Sequence, residues 1–183
     1  MPAYEAMLAA TAAQLTPGDR VLEIGCGTGG TAIRLAPQVG TWLATDFSAE
    51  MVRIARAKPA GGNVTFEVAD AADALRRGPF DAICAFNVLH LVEDLPGTLG
   101  LIHDSLHPGG QLIARVWCFA EVPAWVRALF PVLRLLGLFP VAQMLTADGL
   151  RQALRTAGFE IVEERVFGTR LQNPFLVARR PRP

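Results

Sequence analysis

The chain has 183 residues, 51% of them hydrophobic, and its 17 basic residues balance 17 acidic ones for a formal net charge of zero. That length and apolar content suit one domain with a substantial core, and the balanced charge supplies no global field for nucleic acid or an anionic membrane. Three cysteines, Cys26, Cys84 and Cys118, are too few and too scattered for a disulfide framework or a close metal-ligating pair, no apolar run approaches the roughly 18 residues of a membrane span, and no leader pattern opens the chain, so a soluble, metal-free, cytoplasmic protein is expected.

Strand-like and helix-like segments alternate, the pattern of a mostly parallel sheet with helices on both faces. A helix is predicted over about Ala3 to Gln14, a turn at Thr16–Asp19 and a first strand over Arg20–Ile24. The strand feeds Gly25-Cys26-Gly27-Thr28-Gly29-Gly30, where Gly25, Gly27 and Gly29 let the backbone turn sharply and approach a ligand, with a helix starting near Thr28. The spacing alone is ambiguous, because Gly25-x-Gly27-x-x-Gly30 also satisfies the dinucleotide fingerprint. Glu23 separates the readings. A carboxylate beside the turn suits a pyrophosphate poorly but attracts an ammonium or sulfonium group, which favours S-adenosylmethionine over NAD.

The run VLEIGCGTGG, Val21–Gly30, resembles the first motif of class I S-adenosylmethionine-dependent methyltransferases, and the later segments fall where that family has its other motifs. The chain is similar to the small bacterial enzymes of the ubiquinone and menaquinone biosynthesis type. The resemblance implies a Rossmann-like, doubly wound α/β fold: a seven-stranded, mostly parallel sheet with an antiparallel C-terminal strand and helices on both faces, as a single domain over 1–183. It also implies cofactor contacts at Glu23, Gly25, Cys26, Gly27 and Gly29.

A second strand over Gly40–Thr45 ends at Asp46, at the sheet edge where open parallel sheets bind ligands. Two carboxylate oxygens there suit a ribose diol; alternatively Asp46 only begins the turn into the helix Ala49–Lys58, which Ser48 caps. By the resemblance, Phe47 and Met51 join the same site. A third strand, Val64–Val68, leads to Asp70 and Ala71, which the resemblance places at the adenine; capping of a short helix toward Arg76 is the competing role of Asp70.

Phe80–Phe86 reads as a buried fourth strand followed by Asn87-Val88-Leu89-His90. The resemblance sets Asn87 at the cofactor's amino-acid portion and Val88 and Leu89 near the transferred methyl. His90 titrates near neutrality and is the candidate base, with packing or hydrogen bonding as the alternative. A helix ending at Pro108 and a Gly109-Gly110 turn are expected before a fifth strand over Gln111–Trp117. His103 and His107 receive no chemistry.

The irregular apolar segment 119–145, broken by Pro123, Pro131 and Pro140, is where the family builds its acceptor pocket. It reads as a lid for an aromatic or apolar small-molecule acceptor, as core, or as the face of a homodimer; Glu121 is its candidate base. Thr146–Ala157, Phe159–Phe167 and Leu171–Arg179 match the family's closing helix and two strands. The expected activity is methyl transfer to a small molecule by direct in-line displacement, without nucleic-acid binding or membrane insertion. A cofactor-binding scaffold and an NAD-dependent oxidoreductase are the alternatives.

Overall fold

The computed structural model describes residues 3–121, 143–167 and 173–183. Seven strands, β1 (Arg20–Ile24), β2 (Thr41–Asp46), β3 (Val64–Val68), β4 (Phe80–Phe86), β5 (Leu106–Arg115), β6 (Glu160–Val166) and β7 (Pro174–Arg179), form one sheet in the order β3-β2-β1-β4-β5-β7-β6. The first five run parallel, and β7 is antiparallel to both β5 and β6. From β1 the chain winds outward to β3 and then returns to lay β4 on the other side of β1, so the strand order reverses between β1 and β4. A crevice at the carboxyl ends of those two strands follows from the topology.

The near-continuous burial of β1 and β4 reflects coverage on both faces. On one face, Leu22, Ile24, Ile83 and Leu112 pack against α4 (Ala71–Leu75), α5 (Leu95–Asp104) and α6 (Ala147–Thr156). On the other, Val21, Trp42, Cys84 and Ile113 meet α1 (Ala3–Ala12), α2 (Gly30–Leu35) and α3 (Ala49–Arg56). Ser48 caps α3 by accepting from the Met51 amide, and Thr146 caps α6 by accepting from Gly149, as their short polar side chains predict.

Two local expectations are corrected. The helix after the glycine turn starts at Gly30, so Thr28 and Gly29 remain in the loop, where Gly29 is held at φ 75°. Pro108 does not stop α5, which already ends at Asp104 with the Ser105 hydroxyl donating to the Leu101 carbonyl. Instead β5 begins at Leu106, opposite Phe80, and resumes with Gln111 opposite Ala82. His107–Gly110 therefore bulge out against Asp81, and proline is tolerated there because a bulge needs no ladder donor.

Candidate functional site

The carboxyl ends of β1, β2 and β4 meet at the glycine loop. Gly25 stands at φ 68°, and a Cβ on it would lie 2.7 Å from Val88 Cγ2, so the β1 turn and the segment after β4 touch only because that atom is missing. Gly27 differs. It has φ 53°, yet a Cβ there would meet nothing within 4 Å, so its side faces open space, where a ligand can approach the backbone.

Asp46, 8% exposed, ties this loop to β2: Oδ2 accepts from the Gly27 amide at 2.8 Å and Oδ1 from the Ser48 amide at 2.9 Å. The carboxylate that starts the turn into α3 thus also orders the glycine loop. Each oxygen has a second lone pair for an incoming hydroxyl. Around it lie unusually exposed apolar side chains, Phe47 at 80%, Met51 at 38% and Val68 at 49%. Asp70 caps α4 with Oδ1, accepting from the Asp73 amide at 2.7 Å, while Ala71 opens that helix.

Glu23 departs from the charge expected of it. It points into the core on the Cys84 face of the sheet, is 2% exposed, and Oε2 accepts from the Trp42 indole Nε1 at 3.1 Å. Burial pushes its pKa up to about 8 against the pull of the indole N–H, so the carboxyl is largely neutral at pH 7 without a ligand. Cys26 likewise turns its thiol inward, where burial and then the Glu23 and Asp46 carboxyls push it up to about 12; only its backbone lines the loop. Neither Cys26 nor buried Cys84, whose thiol is also raised by burial, is a ready nucleophile.

Beyond β4, Asn87 adopts φ 56°, a costly conformation for a residue with a Cβ and one common at functional sites. Its amide donates to the Arg115 carbonyl at 2.7 Å, and its exposed carboxamide has no hydrogen-bond partner among the described residues. His90 is 5% exposed, with Nδ1 unpartnered. Its ring meets Phe119 edge-on at 5.3 Å, and Phe119 stacks on Trp117 at 6.0 Å. Burial pulls the imidazole pKa down to about 4, leaving it neutral and a hydrogen-bonding group more than a strong base.

The apolar segment leaves and returns beside His90. Ala120 N–H donates to the Leu145 carbonyl at 3.1 Å, Gln143 N–H to the His90 carbonyl at 2.8 Å and Gln143 Nε2 to the Val92 carbonyl at 2.7 Å. Residues 122–142, and the side chain of Glu121, lie outside the described residues, as does most of the 119–145 segment read from sequence. Sequence reasoning missed Arg115, which ends β5 beside Asn87 and is tied to Asn173; only its position after an apolar strand could have signalled it. A concavity of about 720 Å³ opens at the opposite, amino edge of the parallel strands; its acids Asp19 and Asp81 already accept from the Thr16 and Arg20 amides. Among the described residues no cluster of His, Cys, Asp and Glu could hold a metal ion, and no helix is long and apolar enough to cross a membrane.

A family model described as a methyltransferase domain matches residues 3–164. The 27-O-demethylrifamycin SV methyltransferase of Amycolatopsis mediterranei is 31% identical over 153 residues, covering 80% of this chain and 56% of the relative. The highly reducing polyketide synthase ACTTS3 of Alternaria alternata is 31% identical over 129 residues, 60% of this chain, so the chain spans 5% of that synthase's length. A crystal structure of an S-adenosylmethionine-dependent methyltransferase from Mesorhizobium loti superposes with a TM-score of 0.78 at 22% identity, covering 97% of this chain and 98% of the other.

Proposed function

Because the chain belongs to the class I S-adenosylmethionine-dependent methyltransferases, its family model spanning residues 3–164, we propose that it methylates a small-molecule acceptor in the crevice between β1 and β4. The observation that carries this reading is the Asp46 clamp on the glycine loop at the strand-order reversal, with Gly27 facing open space beside exposed Phe47 and Met51. The donor set fits the cofactor. Asp46 would offer lone pairs to the ribose hydroxyls, Asp70 and the Ala71 amide would hold the adenine, with Phe47 and Met51 beside it, and Asn87 with Val88 would border the amino-acid portion. Gly25, Cys26, Gly27 and Gly29 contribute backbone alone.

Bound S-adenosylmethionine supplies a sulfonium methyl group that needs no protein nucleophile. What remains for the chain is positioning and exclusion of water, and effective molarities indicate that positioning accounts for roughly 7–11 kcal/mol of such a barrier. Neutral His90, its Nδ1 unpartnered, would accept a hydrogen bond from the acceptor's O–H or N–H, take that proton as the methyl passes from sulfur to the acceptor atom, and release it to solvent when the product leaves. Glu23 adjusts the charge beneath the loop: an approaching cation favours its ionised form, and the carboxyl releases its proton on binding. We place the reaction in the cytoplasm, where the buried Cys26 and Cys84 persist as thiols.

Calorimetric titration with S-adenosylmethionine, S-adenosylhomocysteine and NAD tests the reading. Micromolar binding of the first two, on the order of −8 kcal/mol, with none of NAD, is expected. Binding of NAD alone would move the chain to oxidoreductase chemistry, and cofactor binding without methyl transfer to any acceptor in a broad screen would favour a scaffold.

A further inference from the structure

We propose that the acceptor carries an anionic oxygen group, a carboxylate or phosphate, and that Arg115 grips it with its two Nη groups; this rests on the methyl-transfer reading above. Arg115 is the last residue of β5, in register with Phe86 of β4 and Phe175 of β7. Its carbonyl receives the Asn87 amide, so it stands at the carboxyl edge of the sheet, next to the segment that carries His90.

The side chain is partly buried and has no carboxylate partner: none of the ion pairs among the described residues includes it. Among the described residues its one side-chain bond runs from Nε to the Oδ1 of Asn173 at 3.2 Å, in the amide orientation that also lets Asn173 Nδ2 donate to the Val116 carbonyl at 3.2 Å. Asn173 is 3% exposed, so this neutral carboxamide is held in place and pins the guanidinium by its inner edge. The two Nη groups have no partner among the described residues and present an end-on fork, the geometry that receives both oxygens of a carboxylate or two of a phosphate. Burial pulls the pKa of Arg115 below its ordinary value, with no opposing anion.

A guanidinium stays charged at all accessible pH values, and withdrawing it from water without a counter-charge is costly. The other described arginines of intermediate burial have partners for their Nη groups: Arg151 bridges Glu164 at 2.7 Å, and Arg180 donates to the His103 and Leu106 carbonyls at 2.9 and 2.7 Å. At Arg115 the anion is therefore assigned to the ligand. The cofactor's own carboxylate is the rival occupant, because Asn87 borders the amino-acid portion and its amide donates to the Arg115 carbonyl.

The test uses the full chain saturated with S-adenosylhomocysteine and titrated with benzoate, phenyl phosphate and benzyl alcohol, three probes that share a ring and differ in charge. Both anions, or one of them, should bind about tenfold more tightly than benzyl alcohol, and their order tells carboxylate from phosphate. Arg115→Gln should erase that preference while leaving benzyl alcohol and S-adenosylhomocysteine affinities within about twofold. Should Arg115→Gln fail to fold, Arg115→Lys, which keeps the charge but loses the fork, should retain a preference of only about threefold. Equal binding of all three probes, or a preference that survives in Arg115→Gln, overturns the proposal. So does a selective loss of S-adenosylhomocysteine affinity, which assigns the cation to the cofactor. Failure of the wild type to bind S-adenosylhomocysteine removes the methyl-transfer reading instead, and the same anion comparison is then read on the unliganded chain.

Discussion

Replacing Glu23 with glutamine isolates the buried carboxyl beneath the glycine loop. Its pKa rises from 4.5 to about 8 on folding, so below pH 4.5 both folded and unfolded chains hold the proton and the group is silent. Between those values the unfolded chain ionises while the folded one does not, and stability falls as pH rises, levelling off above about 8. At about 1.36 kcal/mol per unit, the shift corresponds to a ceiling of about 5 kcal/mol at alkaline pH. Glutamine keeps the size and the oxygen that receives Trp42 Nε1 but cannot ionise. Glu23→Gln should therefore lie within about 1 kcal/mol of the wild type at pH 5 and exceed it by about 2–5 kcal/mol at pH 9, read from urea unfolding of both proteins at matched ionic strength. Taking the difference between the two proteins cancels every other titrating group, His90 included. A difference that stays constant from pH 5 to 9, or that is largest in acid, would refute a protonated Glu23 core.

Other perturbations probe the loop and its neighbours. Asp46→Ala removes the acceptor for the Gly27 and Ser48 amides and should weaken S-adenosylmethionine binding at least about tenfold, since each charge-assisted bond contributes about 1.5–3 kcal/mol; unchanged calorimetric affinity would count against the site. Gly29→Ala and Gly27→Ala should diverge. The first sets a Cβ 2.6 Å from Phe66 Cε1 and should cost about 2–3 kcal/mol of stability, whereas the second, facing open space, should cost about 1 kcal/mol in melting experiments but abolish cofactor binding. For His90, whose pKa is about 4, the acid limb of the rate profile should lie near pH 4 to 5. A limb at 6.5, or one that persists in His90→Gln, would remove the imidazole from the reaction.

The amino-acid sequence by itself determined the order of elements, the bounds of β1, β3 and β4, the cap at Ser48, and the glycine loop with Asp46 at the next strand's end. These features follow from interactions between residues a few positions apart, namely alternating burial, turn chemistry and caps, which composition and spacing express directly. What sequence reasoning misjudged depends on neighbours brought in from afar. Glu23 reads as a charge for the ligand until β2 sets Trp42 against it and the core strips its water; Pro108 reads as a helix stop until β4 and β5 pair on both sides of it. Arg115 and Asn173 are 58 positions apart and meet only because β7 runs antiparallel to β5. Only the tertiary structure decided these points, because a side chain's charge and freedom are set by its dielectric surroundings and partners, which strand order, not local spacing, supplies.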